Sequence, residues 1–265
     1  MKKYNKIAII GGGVMGTVLA RALVKMRAGK QVLICEKNRR HHRQLKKLGA
    51  QVSVTRQIEL CSDADIIFLA VKPQDFNGVK LKINKQTLIC SIMAGVSISD
   101  IRAKLKIEKI IRMMPNMAAR VGKSFTAWTA AARVSVQEKK WIENFLARIG
   151  VQLYVKTEQE IDKATAVTGS GPAYIFNTLF VFMQSAQKLG FTREETHRMA
   201  IQVLRGVNAL VNKDTDFTEL THQVTSKGGT TEAALKVFAN SDFKKTWVKA
   251  ITAAYKRARE LSKQK

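Results

Sequence analysis

The stretch Ile7-Ala8-Ile9-Ile10-Gly11-Gly12-Gly13-Val14-Met15-Gly16 decides how the rest of the chain is read. Its first four residues predict a short buried strand, and from Val14 to Met26 the pattern becomes helical. Between them Gly11, Gly13 and Gly16 have the GxGxxG spacing. Such glycines permit a tight turn and bring backbone N–H groups close to a pyrophosphate at the positive end of the helix. The spacing alone also suits a plain tight turn. Glu36, however, stands 20 residues beyond Gly16, at the end of a second predicted strand, Val32–Cys35. An acid there meets ribose hydroxyls, so the two features together predict a dinucleotide site.

Outward from this unit the chain keeps the same rhythm. Predicted strands are Ile66–Val71, Leu88–Ile92 and Lys109–Met113. Further β runs lie near Phe125–Trp128 and Val151–Val155, with a helix around Glu138–Ile149 between them. Alternation of this kind predicts an α/β fold with a mainly parallel sheet. From about Asp162 apolar residues recur at helical spacing through Tyr174–Leu189, Glu194–Val211, Thr230–Phe238 and Phe243–Leu261, which predicts an all-helical second part. No Pro/Gly/Ser-rich linker divides the two, so packed rather than tethered halves are expected.

Composition narrows the function classes. Of 265 residues 46% are apolar and 25% charged, as in an ordinary globular protein. Cys35, Cys61 and Cys90 sit singly within apolar runs and read as reduced core thiols; no metal site is expected. The basic start Met1–Lys6 imitates a signal peptide, but the apolar run Ile7–Ile10 stops too soon, and no uncharged stretch is long enough to span a bilayer. A soluble, cytoplasmic protein is expected. The net charge of +26 is spread without a basic tail. It reads as a diffuse bias, as steering of a phosphate-rich cofactor, or as incidental nucleic-acid affinity. His41, His42, His197 and His222 lie outside every motif, and no Ser–His–Asp or Cys–His set is present to suggest nucleophilic catalysis.

The choice of dinucleotide is balanced. Glu36 accepts hydrogen bonds from the ribose of NAD and repels a 2′-phosphate, whereas Lys37, Arg39, Arg40 and Arg43 neutralise such a phosphate or simply form a solvated helix face. Use of both NADPH and NADH is expected.

The remaining motifs are Lys72-Pro73-Gln74, the Met93-Ala94-Gly95-Val96 turn, Arg112-Met113-Met114-Pro115-Asn116, Gly169-Ser170-Gly171-Pro172-Ala173-Tyr174 and Val224-Thr225-Ser226-Lys227-Gly228-Gly229-Thr230-Thr231. Pro73, Pro115 and Pro172, the chain's three prolines, all fall inside them. Taken singly, each segment also reads as a structural helix start, and Arg112-Met113-Met114 reads as core packing. In this order and spacing they resemble the pyrroline-5-carboxylate reductase family over nearly the whole chain, GSGPAY and GGTT being the most specific parts.

The resemblance implies a Rossmann-like domain over residues 1–158 and an all-helical dimerisation domain over residues 159–265, with homodimers that join into rings. It implies hydride transfer from NADPH or NADH to the C=N carbon of 1-pyrroline-5-carboxylate, giving L-proline. Gly11, Gly13, Val14, Met15 and Gly16 would hold the cofactor phosphates, with Glu36 and Lys37 at the ribose. Ala70, Val71, Lys72, Ala94 and Gly95 would border the ribose and nicotinamide. Ser226, Gly228, Gly229, Thr230 and Thr231 would surround the substrate, the Thr231 hydroxyl donating to the ring nitrogen. Two departures bear on loop rigidity. Lys227 replaces a proline, and Met117-Ala118-Ala119 replaces Thr-Pro-Ala. The rival readings are a reductase of another small cyclic imine or carbonyl acid, and a non-enzymatic NAD(P)- or nucleic-acid-binding protein.

Overall fold

The computed structural model describes residues 4–263, so Met1–Lys3 of the basic start lie outside the described residues. The chain separates into two compact units, residues 1–172 with 254–265, and residues 173–253.

The first unit is built on eight strands: β1 Tyr4–Ile10, β2 Gly29–Cys35, β3 Val52–Thr55, β4 Ile66–Leu69, β5 Leu88–Ser91, β6 Ile110–Met114, β7 Ser124–Ala130 and β8 Gly150–Tyr154. Their order in the sheet is β3-β2-β1-β4-β5-β6-β7-β8. All neighbours are parallel except β6 and β7. Register does the positioning: Ile10 pairs with both Cys35 and Leu69, and Leu69 with Ser91. The strand ends that carry Gly11, Glu36, Ala70 and Ile92 therefore align along one edge, beside the point where the strand order reverses.

Five helices, α1 Val14–Lys25, α2 Arg39–Lys46, α3 Ile98–Leu105, α4 Val136–Leu146 and α5 Glu158–Ala164, accompany the sheet. Ile7, Ile9, Ile34, Ile66, Ile67 and Phe68 are fully buried, which explains why the parallel strands read as unbroken apolar runs. Leu19 and Leu23 of α1 and Trp141, Ile142 and Phe145 of α4 join that core, with the Phe68 and Phe145 rings 5.0 Å apart. The three cysteines are free and buried, as expected. A hydrogen bond to Cys35 and burial push the Cys61 thiol up, and burial does the same to Cys90, so both stay protonated.

Several elements were not foreseen. The strand β3 is only four residues with a polar alternate and carries no periodic signal, whereas α2 matches the solvated helix face that was one reading of its basic residues, burying Leu45 alone. The helix α3 is started by the Ser97 capping box rather than by a long apolar stripe. Helical structure begins at Glu158, ahead of Asp162, and passes through a π-helical turn at Thr165–Gly169.

The second unit is helical, drawing on α6 Gly171–Lys188, α7 Arg193–Leu210, α8 Phe217–Gln223, α9 Thr230–Asn240 and α10 Phe243–Lys263; the unit boundary falls inside α6 and α10. Short α8 was also unforeseen. Within this unit only Thr196 and Ala200 are buried, while Phe176, Phe180, Val203, Leu204 and Val207 remain exposed. Apolar surface of this extent marks an interaction face. No helix among the described residues is long and apolar enough to cross a membrane.

Candidate functional site

At the end of β1 the chain turns at Gly11, whose φ of 104° is closed to most side chains. A Cβ there would stand 2.6 Å from the Ala70 carbonyl oxygen, and one on Gly16 would stand 1.9 Å from that of Gly11. These two glycines let the loop and α1 lie directly on strand ends. Gly13 differs: a Cβ there would meet nothing within 4 Å. It precedes α1, which has no side-chain cap and no acid in its first turn. Unpaired N–H groups and the positive end of the helix dipole thus face open space, the arrangement that suits a phosphate.

Glu36 completes this corner. Its Oε2 accepts from the Gly12 N–H at 2.7 Å and its Oε1 from the Asn38 N–H at 2.7 Å. The His42 Nε2 lies 2.7 Å from the Glu36 carbonyl oxygen. A cavity of about 380 Å³ opens here, lined by Gly11, Gly13, Glu36, Lys37, Ala70, Val71 and Lys72 among others. The structure so brings together seven of the residues expected at the cofactor. Val14 is exposed beside a second hollow of about 200 Å³, which also contains Thr17, Arg21, His41 and Arg120. Met15 packs against the main core and Gly16 is buried under the turn. Ala94 packs with Met114, Ala127, Val155 and Ile161. Gly95 has a φ of 72°, and a Cβ on it would meet the Leu261 carbonyl oxygen at 2.7 Å. Neither lines the cavity; the structure gives both a packing role at the β5 end. Sequence reasoning missed Asn38, Arg56, Ile58 and Asp75 in the cavity wall. Arg56 follows the unforeseen β3, so that strand was its only available signal. The uncapped α1, the open face at Gly13 and the carboxylate at the β2 end fit a dinucleotide.

The segment expected at the substrate lies in the second unit. Gly228 turns with φ 72°, and Gly229 is the N-cap residue of α9, with no side-chain cap. Thr230 is thus the first residue of the helix and not its cap. Elsewhere Asn38, Ser97, Ser135, Thr157, Thr192 and Asp216 each cap a helix with a side chain. The Gly228 N–H donates to Glu232, and the Gly229 N–H to the Ser226 carbonyl. Hydrogen bonds from Lys236 and from Gly228 hold the Glu232 carboxyl below the usual carboxylate range. Thr231 is half-buried in the first turn of α9, and its hydroxyl makes no hydrogen bond among the described residues.

Other motif residues have structural partners. Arg112 is buried, 3.0 Å from Glu158 and 2.9 Å from Asp162, and Met113 and Met114 are buried as expected. Asn116 caps the 3-10 turn Met117–Val121, the site of one departure, and its Nδ2 donates to the Thr168 carbonyl at 2.9 Å. His197 and His222 are exposed, and no metal-binding cluster occurs among the described residues.

Comparison with known proteins agrees with this geometry. A family model described as pyrroline-5-carboxylate reductase dimerisation matches residues 158–261, and one described as NADP oxidoreductase, coenzyme F420-dependent, matches residues 6–95. The pyrroline-5-carboxylate reductase of Aquifex aeolicus is 30% identical over 260 residues, 97% of each chain. A solved pyrroline-5-carboxylate reductase from Coxiella burnetii is 31% identical with a TM-score of 0.88, covering 99% of this chain and 100% of that one. A Plasmodium falciparum pyrroline carboxylate reductase solved with NADP bound is 25% identical with a TM-score of 0.84, covering 97% and 98%.

Proposed function

This chain belongs to the pyrroline-5-carboxylate reductase family, and from that premise we propose that it reduces 1-pyrroline-5-carboxylate to L-proline with NADPH or NADH. One observation carries the reading beyond likeness. The helices α1 and α9, each of which starts just after a run of adjacent glycines, are left without a side-chain cap, while α2, α3, α4, α5, α7 and α8 are capped. The α1 start has no acid in its first turn and suits a pyrophosphate, whereas at α9 Glu232 takes the Gly228 N–H and the N–H groups of Thr230 and Thr231 remain for a carboxylate.

When bound, the reduced nicotinamide supplies the hydride. The chain supplies position and charge. The Gly11–Gly16 turn, with Val14 and Met15, holds the phosphates, and Glu36 and Lys37 hold the ribose. Ala70, Val71 and Lys72 border the ribose, and Ala94 and Gly95 shape the nicotinamide side through the packing described above. N–H groups of Thr230 and Thr231 take the substrate carboxylate, and Ser226, Gly228 and Gly229 shape the turn that presents them. The Thr231 hydroxyl donates to the ring nitrogen of the neutral imine and accepts from its N–H once that nitrogen is protonated. Protonated imine is already electrophilic: its carbon gains the hydride, the C=N π pair becomes the nitrogen lone pair, and nitrogen keeps its proton. The absence of any histidine from these motifs is compatible with that chemistry.

The reading includes the division into residues 1–158 for the cofactor and 159–265 for substrate and dimerisation. The dimerisation match over 158–261 and the exposed apolar faces of α6 and α7 support it. It also includes a homodimer, rings of such dimers, and a cytoplasmic location. The test is steady-state assay of purified protein with the cyclic imine and each cofactor over about pH 6–9, a range that brackets imine protonation. Nicotinamide oxidation matched by proline formation is expected, with the five-membered ring preferred over other imines and keto acids. Inactivity with both cofactors refutes the reading.

A further inference from the structure

The balance between NADH and NADPH is decided, we propose, by how Glu36 is held: the chain selects NADH, and Glu36 is the residue that selects it. The proposal deepens the reading above and rests on it for turnover, though not for binding.

A carboxylate at the end of β2 excludes a 2′-phosphate only if it cannot swing aside. Here both oxygens are tied to main-chain donors, Oε2 to Gly12 and Oε1 to Asn38, each at 2.7 Å. Those donors belong to the glycine turn and to the start of α2, and neither moves as a side chain does. The carboxylate also lies directly against the glycine turn: a Cβ on Gly12 would stand only 3.1 Å from Oε2. The main chain of Glu36 is pinned in turn by the His42 ring at its carbonyl. Two N–H bonds leave lone pairs on both oxygens, enough to accept from the two ribose hydroxyls of NADH. A 2′-phosphate removes one of those hydroxyls and sets like charge against an anchored anion.

The cations that would compensate are mostly elsewhere. Of Lys37, Arg39, Arg40 and Arg43, only Lys37 lines the cavity; the three arginines are exposed on α2 and do not. Arg56 joins Lys37 in the cavity wall from the end of β3. Both Lys37 and Arg56 are exposed, so their attraction for a phosphate is weakened by solvent, whereas Glu36 is half-buried.

The experiment is calorimetric titration of the purified full chain with NAD⁺ and NADP⁺ without imine, followed by kcat/KM for NADH and NADPH with imine. NAD⁺ is expected to bind about tenfold tighter or more, the scale of one charge-assisted hydrogen bond lost. Glu36→Gln and Glu36→Ser are expected to raise NADP⁺ affinity and to move the ratio about ten- to hundredfold toward NADP⁺. Lys37→Ala and Arg56→Ala are expected to weaken NADP⁺ while NAD⁺ stays the tighter ligand. Equal or tighter NADP⁺ binding by the wild type, a ratio unmoved by both Glu36 variants, or failure of both dinucleotides to bind overturns the proposal. Selective NAD⁺ binding without imine reduction would instead remove the assigned reaction and leave the role of Glu36 standing. Imine reduction with NADPH favoured would do the opposite.

Discussion

Gly13→Ala separates cofactor binding from folding. Gly13 has φ −66° and ψ −163°, which alanine adopts without strain, and the added methyl meets nothing within 4 Å. Folding stability should therefore be unchanged or rise by about 0.4–1 kcal/mol, because alanine restricts the unfolded chain. The open face at Gly13 is also where a phosphate must approach the first N–H groups of α1. A methyl there displaces one charge-assisted hydrogen bond, worth about 1.5–3 kcal/mol, so dinucleotide affinity should fall about ten- to hundredfold. Gly16→Ala is the counterpart. Its methyl would lie 1.9 Å from the Gly11 carbonyl oxygen, which is backbone and yields only if α1 lifts from β1. That variant should lose about 1–3 kcal/mol or more of stability. Urea unfolding and dinucleotide titration of both proteins check the pair. Normal affinity in a folded Gly13→Ala protein would mean that the phosphates do not approach this turn.

Thr231→Ala should lower kcat with the imine about tenfold or more, the scale of one hydrogen bond to a charged nitrogen, while dinucleotide titration stays at the wild-type value; unaltered kinetics would displace the substrate from α9. Gly229→Val should raise KM for the imine, because its Cβ would press on Ser226 Oγ at 2.3 Å and close the approach to the α9 N-terminus. Arg112→Leu should cost about 3 kcal/mol in urea unfolding, toward the low end for a broken buried pair because Glu158 is 31% exposed; a loss below about 1 kcal/mol would show that the two carboxylates find other partners. Sedimentation should show a dimer or larger assembly at assay concentrations, since the exposed apolar faces of α6 and α7 need a partner; a stable, active monomer would refute that.

How much of this protein is written locally can be judged from particular residues. GxGxxG followed by an acid twenty positions on is a local code, because turn geometry, helix start and strand end all lie within thirty residues. It identified Gly11, Gly13, Glu36 and the order of elements around them. Unbroken apolar runs and long periodic helices were equally legible, since burial selects them directly: the strands β1, β2, β4, β5 and β6, the helix α4 and the long helices of the second unit. Elements held by something other than an apolar stripe were not legible. The four-residue β3 exists because β2 offers it an edge, and α3 exists because Ser97 and Asp100 cap it. Antiparallel pairing of β7 with β6 is a choice of neighbour, which composition does not encode.

The site shows the same division. Sequence determined which residue types were available at each loop: glycines at the turn, an acid at the β2 end, a GGTT segment before a helix. Tertiary structure alone decided what they face. It put Ala70 and Lys72 beside Gly11 through the register of β1 with β4, and brought Arg56 into the cavity wall. It left the α2 arginines out of the cavity wall and set Gly95 against Leu261. It also locked Glu36 between two backbone donors, one of them 24 residues away. The physical reason is that a residue's chemistry belongs to its side chain, whereas its partners are set by contacts between segments far apart in sequence. Only folding brings those segments within hydrogen-bonding distance.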